Sequence, residues 1–152
     1  MAGPPIQTWT FVVVVIHDGD KYLLVKEKKY GQVWYLPAGT VEVGETFAEA
    51  AHRETMEEAG IEIELEGILR MEHIPADNGS RLRVIYLARP KGAKKAPKYA
   101  KLDTLGTKWV TFEEALELPL RGGDVPQYLK AMSEGMPAYP LSIIAREGDD
   151  YK

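Results

Sequence analysis

The sequence predicts a single domain of the α/β class, in which one well-marked helix is set among several β-strands. Residues 9–16 form an uninterrupted run of aromatic and β-branched residues, which is typical of a buried strand. Residues 46–59 have helix signals at both ends, and two alternating segments, 61–74 and 81–88, follow them. A chain of 152 residues with 45% hydrophobic residues is long enough to bury one core.

Composition and charge exclude several functional classes. The formal net charge is −4, so there is no basic field that would favour long nucleic acid as a partner. The chain contains no cysteine, which excludes disulfides, thiolate catalysis and cysteine-ligated zinc. Its longest apolar run is far shorter than the roughly 20 residues of a membrane-spanning helix, and residues 1–8 lack a signal-peptide pattern. We therefore expect a cytoplasmic protein without a membrane partner.

The first part of the chain predicts three strands. Residues 9–16 are apolar throughout and suit a central strand. An Asp-Gly pair at residues 18–19 indicates a tight hairpin, with residues 22–26 as the returning strand. A short strand over residues 33–36 is ended by Pro37, which directs the chain into a polar stretch that contains glycine.

The helix over residues 46–59 has local signals at both ends. Thr46 and Glu49 have the spacing of a capping box, and Gly60 lies where a helix commonly ends in a left-handed residue. The alternating segments behind this helix are separated by a turn signal at residues 77–79. They predict a long antiparallel pair of strands.

The rest of the chain predicts a loop, a strand and two helices. Residues 90–101 carry five lysines and form either a solvated connector or a contact for phosphate or RNA. A strand follows over residues 106–110, then a short helix over residues 111–118 and a last helix that starts at Asp124. The polar end of the tail is expected to be disordered.

Residues 39–61 concentrate glutamates on and around the predicted helix. At about 100° per residue, Glu54, Glu57 and Glu58 lie on one arc and can reach one point. Carboxylate oxygens suit Mg²⁺ or Mn²⁺, and Mg²⁺ usually works together with substrate phosphates. An ordinary acidic surface helix is the alternative. The polar and glycine positions that carry the pattern are Gly39, Glu45, Arg53, Glu54, Glu57, Glu58 and Gly60.

The spacing of these positions resembles the Nudix box, G-x5-E-x7-R-E-U-x-E-E-x-G-U, in which U is a bulky aliphatic residue. On this motif the chain is identified as a member of the Nudix hydrolase family. It departs from the usual pattern at Thr55, where the family prefers an aliphatic residue, and at Ala38, where glycine is frequent. Neither residue is an expected metal ligand.

The resemblance implies both a fold and a reaction. The fold is an α/β/α sandwich around a mixed sheet, with the box as a loop-helix-loop. Because the resemblance covers about residues 8–135, we expect one domain over residues 1–152 with a tail at residues 136–152. The reaction is divalent-metal-dependent hydrolysis of a phosphoanhydride bond in a nucleoside diphosphate linked to another group, by attack of water on phosphorus. Homodimers are common in the family, so a homodimer is an open alternative to a monomer.

The resemblance also implies roles for the box residues. Glu54, Glu57 and Glu58, with the Gly39 carbonyl as a further ligand, are expected to bind Mg²⁺ or Mn²⁺. In part of the family the residue at the position of Glu54 is instead the general base. The identity of the base therefore stays open.

Two further box residues are expected to orient the others. Arg53 would hold Glu57 or Glu45 by charge-assisted hydrogen bonds, and Glu45 would anchor the loop. Some family members take a further acid from outside the box, for which Asp103 and Glu72 are candidates here.

Residues outside the box are expected to select the substrate. Trp34 is a candidate for stacking on a base, and Lys26 and Arg81 are candidates for binding phosphate. The chain is also similar to a mammalian branch of the family that acts on oxidised guanine nucleoside diphosphates, so an oxidised purine nucleotide is one candidate substrate. The alternative hypotheses are a non-catalytic nucleotide-sensing module and an RNA-end pyrophosphohydrolase. The segments that carry the similarity are residues 34–39, 87–90 and 119–121, followed by Asp124.

Overall fold

The computed structural model describes residues 2–29, 31–92 and 102–151. Most of the predicted lysine-rich loop, residues 93–101, lies outside the described residues. The elements that the structure describes are β1 (Gln7–Asp18), β2 (Lys21–Lys26), β3 (Trp34–Tyr35), β4 (Ala38–Thr40), α1 (Phe47–Ala59), β5 (Ile63–Ala76), β6 (Gly79–Pro90), β7 (Thr107–Val110), α2 (Phe112–Leu116), α3 (Asp124–Ser133) and a 3-10 helix at Leu141–Ile143.

Strand β1 is the centre of a mixed sheet. It pairs in parallel with β6 and antiparallel with β2 and β4, and the strand order is β3-β2-β1-β6-β5, with β7 beside β2. Val12 and Val14 of β1 are buried in a cluster with α1, whereas Val13 and Val15 are buried with α2 and α3. Because successive residues of a strand point to opposite faces, the sheet lies between two helical layers. The predicted α/β/α sandwich is confirmed.

The predicted hairpin is present, and one short strand was missed. His17 of β1 pairs with Tyr22 of β2, as the Asp-Gly signal indicated. The unpredicted strand β4 consists of Ala38, Gly39 and Thr40 and pairs with β1. These small or polar residues give no periodic signal, so the strand depends on β1 as its partner. Strand β4 delivers the chain to α1.

Helix α1 has the capping box that was predicted. The Glu49 N–H donates to the Thr46 hydroxyl at 3.1 Å, and the Thr46 N–H donates back to the Glu49 carboxylate. Gly60 ends the helix in a left-handed conformation with φ 69°. Small side chains on the buried face let the helix approach the sheet closely. They are Ala50, Ala51, Thr55 and Ala59.

Strands β5 and β6 form the predicted long antiparallel pair. Strand β5 is continuous through Gly67, and its pairing with β6 has bulges between Leu65 and Gly67 and between Ile68 and Arg70. The tail contacts this strand through two hydrogen bonds between the main chains of Ile68 and Tyr139, at 2.9 and 2.8 Å. The outer edge of β5 is thus partly covered.

Helix α3 begins at Asp124 as predicted, with Gly123 in the capping position and no side-chain cap. The Asp124 carboxylate instead accepts a hydrogen bond from the Tyr35 hydroxyl. The described part of the polar tail contains a turn in which the Arg146 N–H donates to Asp149 at 3.1 Å. The side chain of Asp124 therefore connects α3 to β3.

Candidate active site

The loop before α1 brings Gly39 against the helix carboxylates. Gly39 lies in β4, where it pairs with Val12 of β1. A Cβ at position 39 would overlap the carboxylate of Glu54. Glycine lets the strand backbone and this carboxylate approach each other, which any side chain would prevent.

Arg53 connects the loop to the helix carboxylates. Its Nε and Nη2 donate to the two oxygens of Glu45 at 2.7 and 2.9 Å, and Nη2 also donates to the Thr40 carbonyl at 2.9 Å. Its Nη1 donates to Glu54 at 2.8 Å and to Glu57 at 3.2 Å. Both carboxylates that the sequence suggested as partners of Arg53 are therefore in contact with it. The two parallel hydrogen bonds from Arg53 to Glu45 fix the orientation of both side chains as well as neutralising their charges.

The carboxylates around Arg53 differ in their electrostatic surroundings. Hydrogen bonds from Arg53 hold the pKa of Glu45 down at about 2. Burial raises the pKa of Glu54, against the opposing effect of Arg53. Burial, followed by repulsion from Glu54, raises the pKa of Glu58 to about 8. A positive charge beside Glu58 would relieve this repulsion, so the surroundings favour a cation.

The three expected ligand carboxylates are directed to different partners in this structure. In the part of the chain that the structure describes, no three His, Cys, Asp or Glu side chains are arranged to hold a metal ion. The reason is that Arg53 Nη1 holds Glu54 and Glu57, whereas Glu58 accepts a hydrogen bond from the Ala38 N–H at 3.3 Å. The donors are nonetheless hard oxygens within two turns of one helix, a set that fits Mg²⁺ or Mn²⁺ after rotation of side chains.

A cavity of about 170 Å³ lies beside Gly39, and guanidinium groups form part of its wall. The Arg81 guanidinium lies 4.6 Å from the centre of the Phe11 ring, and the Arg121 guanidinium lies 4.7 Å from the centre of the Tyr35 ring. Such cationic walls suit an anionic ligand that carries phosphate. The described residues that line the cavity are Phe11, Val12, Val13, Tyr35, Ala38, Gly39, Thr40, Arg81, Arg83 and Arg121.

A second cavity, of about 410 Å³, adjoins the first. Arg81 and Arg83 line both cavities, and the second extends to His73 and Ile74 on β5. Because the two cavities share Arg81 and Arg83, we refer to them together as the groove.

A polar cluster holds Arg83 in the wall of this groove. Arg83 donates to Glu72 at 2.7 and 3.1 Å, to the Tyr128 hydroxyl at 3.1 Å and to the Tyr35 hydroxyl at 3.3 Å. Burial and the hydrogen bond to Asp124 raise the pKa of Tyr35 to about 12. Glu72, one of the two candidate acids outside the box, is thus a partner of Arg83.

Of the three predicted substrate-binding residues, one lines the cavity beside Gly39 and two do not. Arg81 lines the cavity beside Gly39, whereas Trp34 and Lys26 are not among its described lining residues. Trp34 packs against the core under α2 and α3, and the Lys26 N–H donates to a loop carbonyl at the end of β2. Phe11 and Arg121 were not predicted as site residues, although Arg121 belongs to the segment 119–121 that carries part of the family similarity. Only the sheet topology brings these distant positions to one cavity.

Residues 7–131 of the chain match the model of the NUDIX domain. This chain belongs to the NUDIX domain family. The family predicted from residues 39–61 is therefore confirmed, and the loop-helix-loop described above is the Nudix box of this domain.

Two relatives of this Nudix domain are named as phosphatases. The chain is 38% identical over 120 residues to the human 8-oxo-dGDP phosphatase NUDT18, an alignment that covers 77% of this chain and 36% of that protein. It is 33% identical over 137 residues to the phosphatase NudJ of Escherichia coli strain K12, covering 88% of each chain. The chain thus spans about a third of the length of NUDT18 and most of the length of NudJ.

Solved structures share the fold of this Nudix domain. A NUDIX hydrolase from Nitrosomonas europaea superposes with a TM-score of 0.80 at 26% identity, covering 94% of this chain and 100% of that chain. The fold class is confirmed, and so is the enzyme class at the level of the domain, a Nudix hydrolase. Among the described residues, no helix is long and apolar enough to cross a membrane.

Proposed function

We propose that this Nudix domain hydrolyses a phosphoanhydride bond in a nucleoside diphosphate linked to another group, with Mg²⁺ or Mn²⁺ as its cofactor. The observation that supports this most directly is the contact of Gly39 with the Glu54 carboxylate, next to a cavity with arginine walls. It supports a cation site and an anion site that lie side by side. A phosphoanhydride needs both, because its own negative charge repels the attacking water.

The box residues would divide the work between them. Glu54, Glu57 and Glu58 would hold the cation, with the Gly39 carbonyl as a further ligand. The bound cation would neutralise phosphate oxygens and lower the pKa of a coordinated water. Arg53 orients the carboxylates to which it donates, and a box carboxylate accepts the proton of the attacking water.

Two observations bear on the substrate. The cavity beside Gly39 is lined by Arg81 and by two aromatic rings, which suits a phosphate joined to a flat group. The relative NUDT18 is named an 8-oxo-dGDP phosphatase, which supports an oxidised purine nucleotide as one candidate. Because this chain spans about a third of that protein, the substrate has to be tested on this chain itself.

The alternatives have less support. A non-catalytic nucleotide sensor would be favoured by loss of box glutamates, and none is lost. An RNA-end hydrolase would depend on the lysine-rich residues 90–101, and the net charge of −4 argues against it. The homodimer, the single domain over residues 1–152 and the cytoplasmic location stay predictions.

A substrate panel tests the proposal. Nucleoside di- and triphosphates, 8-oxo-guanine nucleotides, ADP-ribose, dinucleoside polyphosphates and nucleotide sugars are assayed with Mg²⁺ against the parent chain and the Glu57→Gln and Glu58→Gln variants. We expect cleavage by the parent and a loss of about a hundredfold or more in each variant. The matched control is Glu64→Gln, an exposed glutamate of β5 whose partner is Arg89. No cleavage by the parent contradicts the reaction, and full activity in both variants contradicts the metal site.

A further inference from the structure

Arg121 lies at the end of the groove nearest the Nudix box. Its N–H donates to the Trp34 carbonyl at 3.0 Å, which joins its main chain to β3. It lines the cavity beside Gly39 and is not among the described residues of the second cavity, whereas Arg81 and Arg83 line both. Of the three arginines in the described wall, Arg121 is therefore the one confined to the box end.

An ion pair and a ring contact help to set the orientation of the Arg121 side chain. Its Nη1 donates to Glu27 Oε2 at 2.7 Å, and its guanidinium stacks on the Tyr35 ring. Stacking and an ion pair together restrict a planar guanidinium more than either contact alone. The side chain is still 43% exposed, so a ligand in the cavity can reach it.

Glu27 is itself held next to the box. The Lys26 carbonyl accepts from the Leu105 N–H at 2.9 Å, and the Glu58 carbonyl accepts from the Thr104 hydroxyl at 2.6 Å. The consecutive residues Thr104 and Leu105 thus connect the end of β2 to the end of α1. Glu27 directly follows β2. In this ion pair, Glu27 therefore lies beside the box and Arg121 lines the cavity.

The other two arginines are placed for different tasks. Arg83 directs its donors to Glu72, Tyr128 and Tyr35, so its charge is largely used within the protein. Arg81 is exposed, lies over Phe11 and reaches the more distant cavity. Of the three arginines in the described wall, Arg121 is therefore the one that lines only the cavity beside Gly39 and has a partly exposed side chain.

We propose that Arg121 binds the substrate phosphate nearest the Nudix box and that Glu27 is the positioning residue that holds Arg121 there. The part about the reaction rests on the proposed function, whereas the part about phosphate binding does not. The groove then has a polarity: the reacting phosphate lies at Arg121, and the group linked to it extends past Arg81.

A second role for Glu27 has to be separated from this one. Its Oε1 is buried and has no hydrogen-bond partner among the described residues, which would also suit a direct contact with the cation. The two roles differ in what the isosteric Glu27→Gln change affects. A positioning residue changes phosphate binding without metal, whereas a cation ligand changes the affinity for Mn²⁺.

The test measures binding of ADP, and of adenosine as the ligand without phosphate, by calorimetry in EDTA. We expect Arg121→Gln to weaken ADP binding about tenfold or more, because a charge-assisted hydrogen bond is lost, and to leave adenosine binding unchanged. Arg121→Lys keeps the charge and should give an intermediate loss. Glu27→Gln should weaken ADP binding, and the double variant should be no worse than Arg121→Gln alone. Arg89→Gln is the matched control, since Arg89 also has a glutamate partner and lies outside both cavities.

The outcomes separate this inference from the proposed function. Equal ADP affinity in the parent and Arg121→Gln, or no ADP binding by the parent, overturns the role of Arg121. A Glu27→Gln variant with weaker Mn²⁺ binding but unchanged ADP binding overturns the positioning role of Glu27. If the parent cleaves none of the panel but binds ADP, and Arg121→Gln binds ADP more weakly, the proposed function fails and this inference holds. Thermal melts of each variant show that it is folded before binding is compared.

Discussion

Gly39 lies so close to the carboxylate of Glu54 that a Cβ at position 39 would overlap it. Gly39 belongs to a strand paired with β1, and Glu54 belongs to a helix packed on the sheet, so neither main chain can withdraw easily. The glycine of the Nudix box is therefore explained here by a contact across the fold, since its own φ is outside the left-handed region.

Substituting Gly39 by alanine should displace Glu54. We expect Gly39→Ala to lower Mg²⁺-dependent activity at least about tenfold and to leave the free energy of unfolding nearly unchanged, because the atoms that the new Cβ would overlap are the end of a side chain that can rotate. Urea unfolding and kinetics on the cleaved substrate measure the two effects. Gly3→Ala is the control, because a Cβ there has no neighbour within 4 Å. Parent-like activity in Gly39→Ala would show that the position of the Glu54 carboxylate does not matter for the reaction.

Substituting Arg53 should separate charge from geometry. Lysine keeps the positive charge but cannot donate to Glu45 twice while it also contacts Glu54 and Glu57. We expect Arg53→Lys to lower kcat and to lower the free energy of unfolding by about 1–3 kcal/mol. Arg89→Lys, a change at an exposed ion pair, should leave both values nearly unchanged. An unchanged kcat in Arg53→Lys would mean that charge alone suffices.

Glu72 should contribute a part of the stability that acid removes. Burial alone would raise its pKa, but the hydrogen bonds from Arg83 and Tyr128 prevail and lower it. A carboxyl whose pKa is lower in the folded state stabilises the fold above its unfolded pKa, and the contribution disappears as pH falls through the folded pKa. The stability difference between the parent and Glu72→Gln should therefore shrink between about pH 6 and pH 3.

Thermal or urea unfolding across this pH range measures the Glu72 effect. Glu113→Gln, on α2, is the control and should follow the parent at every pH. A difference between Glu72→Gln and the parent that stays constant with pH would contradict the ionic role of Glu72.

Gly67 should report on the docking of the tail. A Cβ at Gly67 would lie 2.8 Å from the Ala138 Cβ and 2.9 Å from the Tyr139 carbonyl oxygen. We expect Gly67→Ala to lower the free energy of unfolding by about 1–3 kcal/mol. Part of this loss should be recovered in the double variant Gly67→Ala/Ala138→Gly, which removes one of the two clashes. Additive losses in urea unfolding would show that the tail does not lie against β5.

The features predicted correctly depend on neighbours in the chain. The ends of α1 follow from Thr46, Glu49 and Gly60, whose hydrogen bonds span a few residues. Strand β1 follows from its apolar run, and the box follows from spacing along one helix. Strand β4 was missed because its three small or polar residues acquire their conformation from β1.

The sequence by itself determined the family, the layered fold and the set of carboxylates, because each is written in local pattern or fixed spacing. The tertiary structure decided the partners of those carboxylates. Arg53 donates hydrogen bonds to Glu54 and Glu57, whereas Glu58 is buried and is repelled by the charge of Glu54. It also brought Glu27 to Arg121 across 94 positions of the chain. Pairings over such distances depend on the order of the strands in the sheet and on which charges are buried. Neither produces a periodic pattern in the sequence.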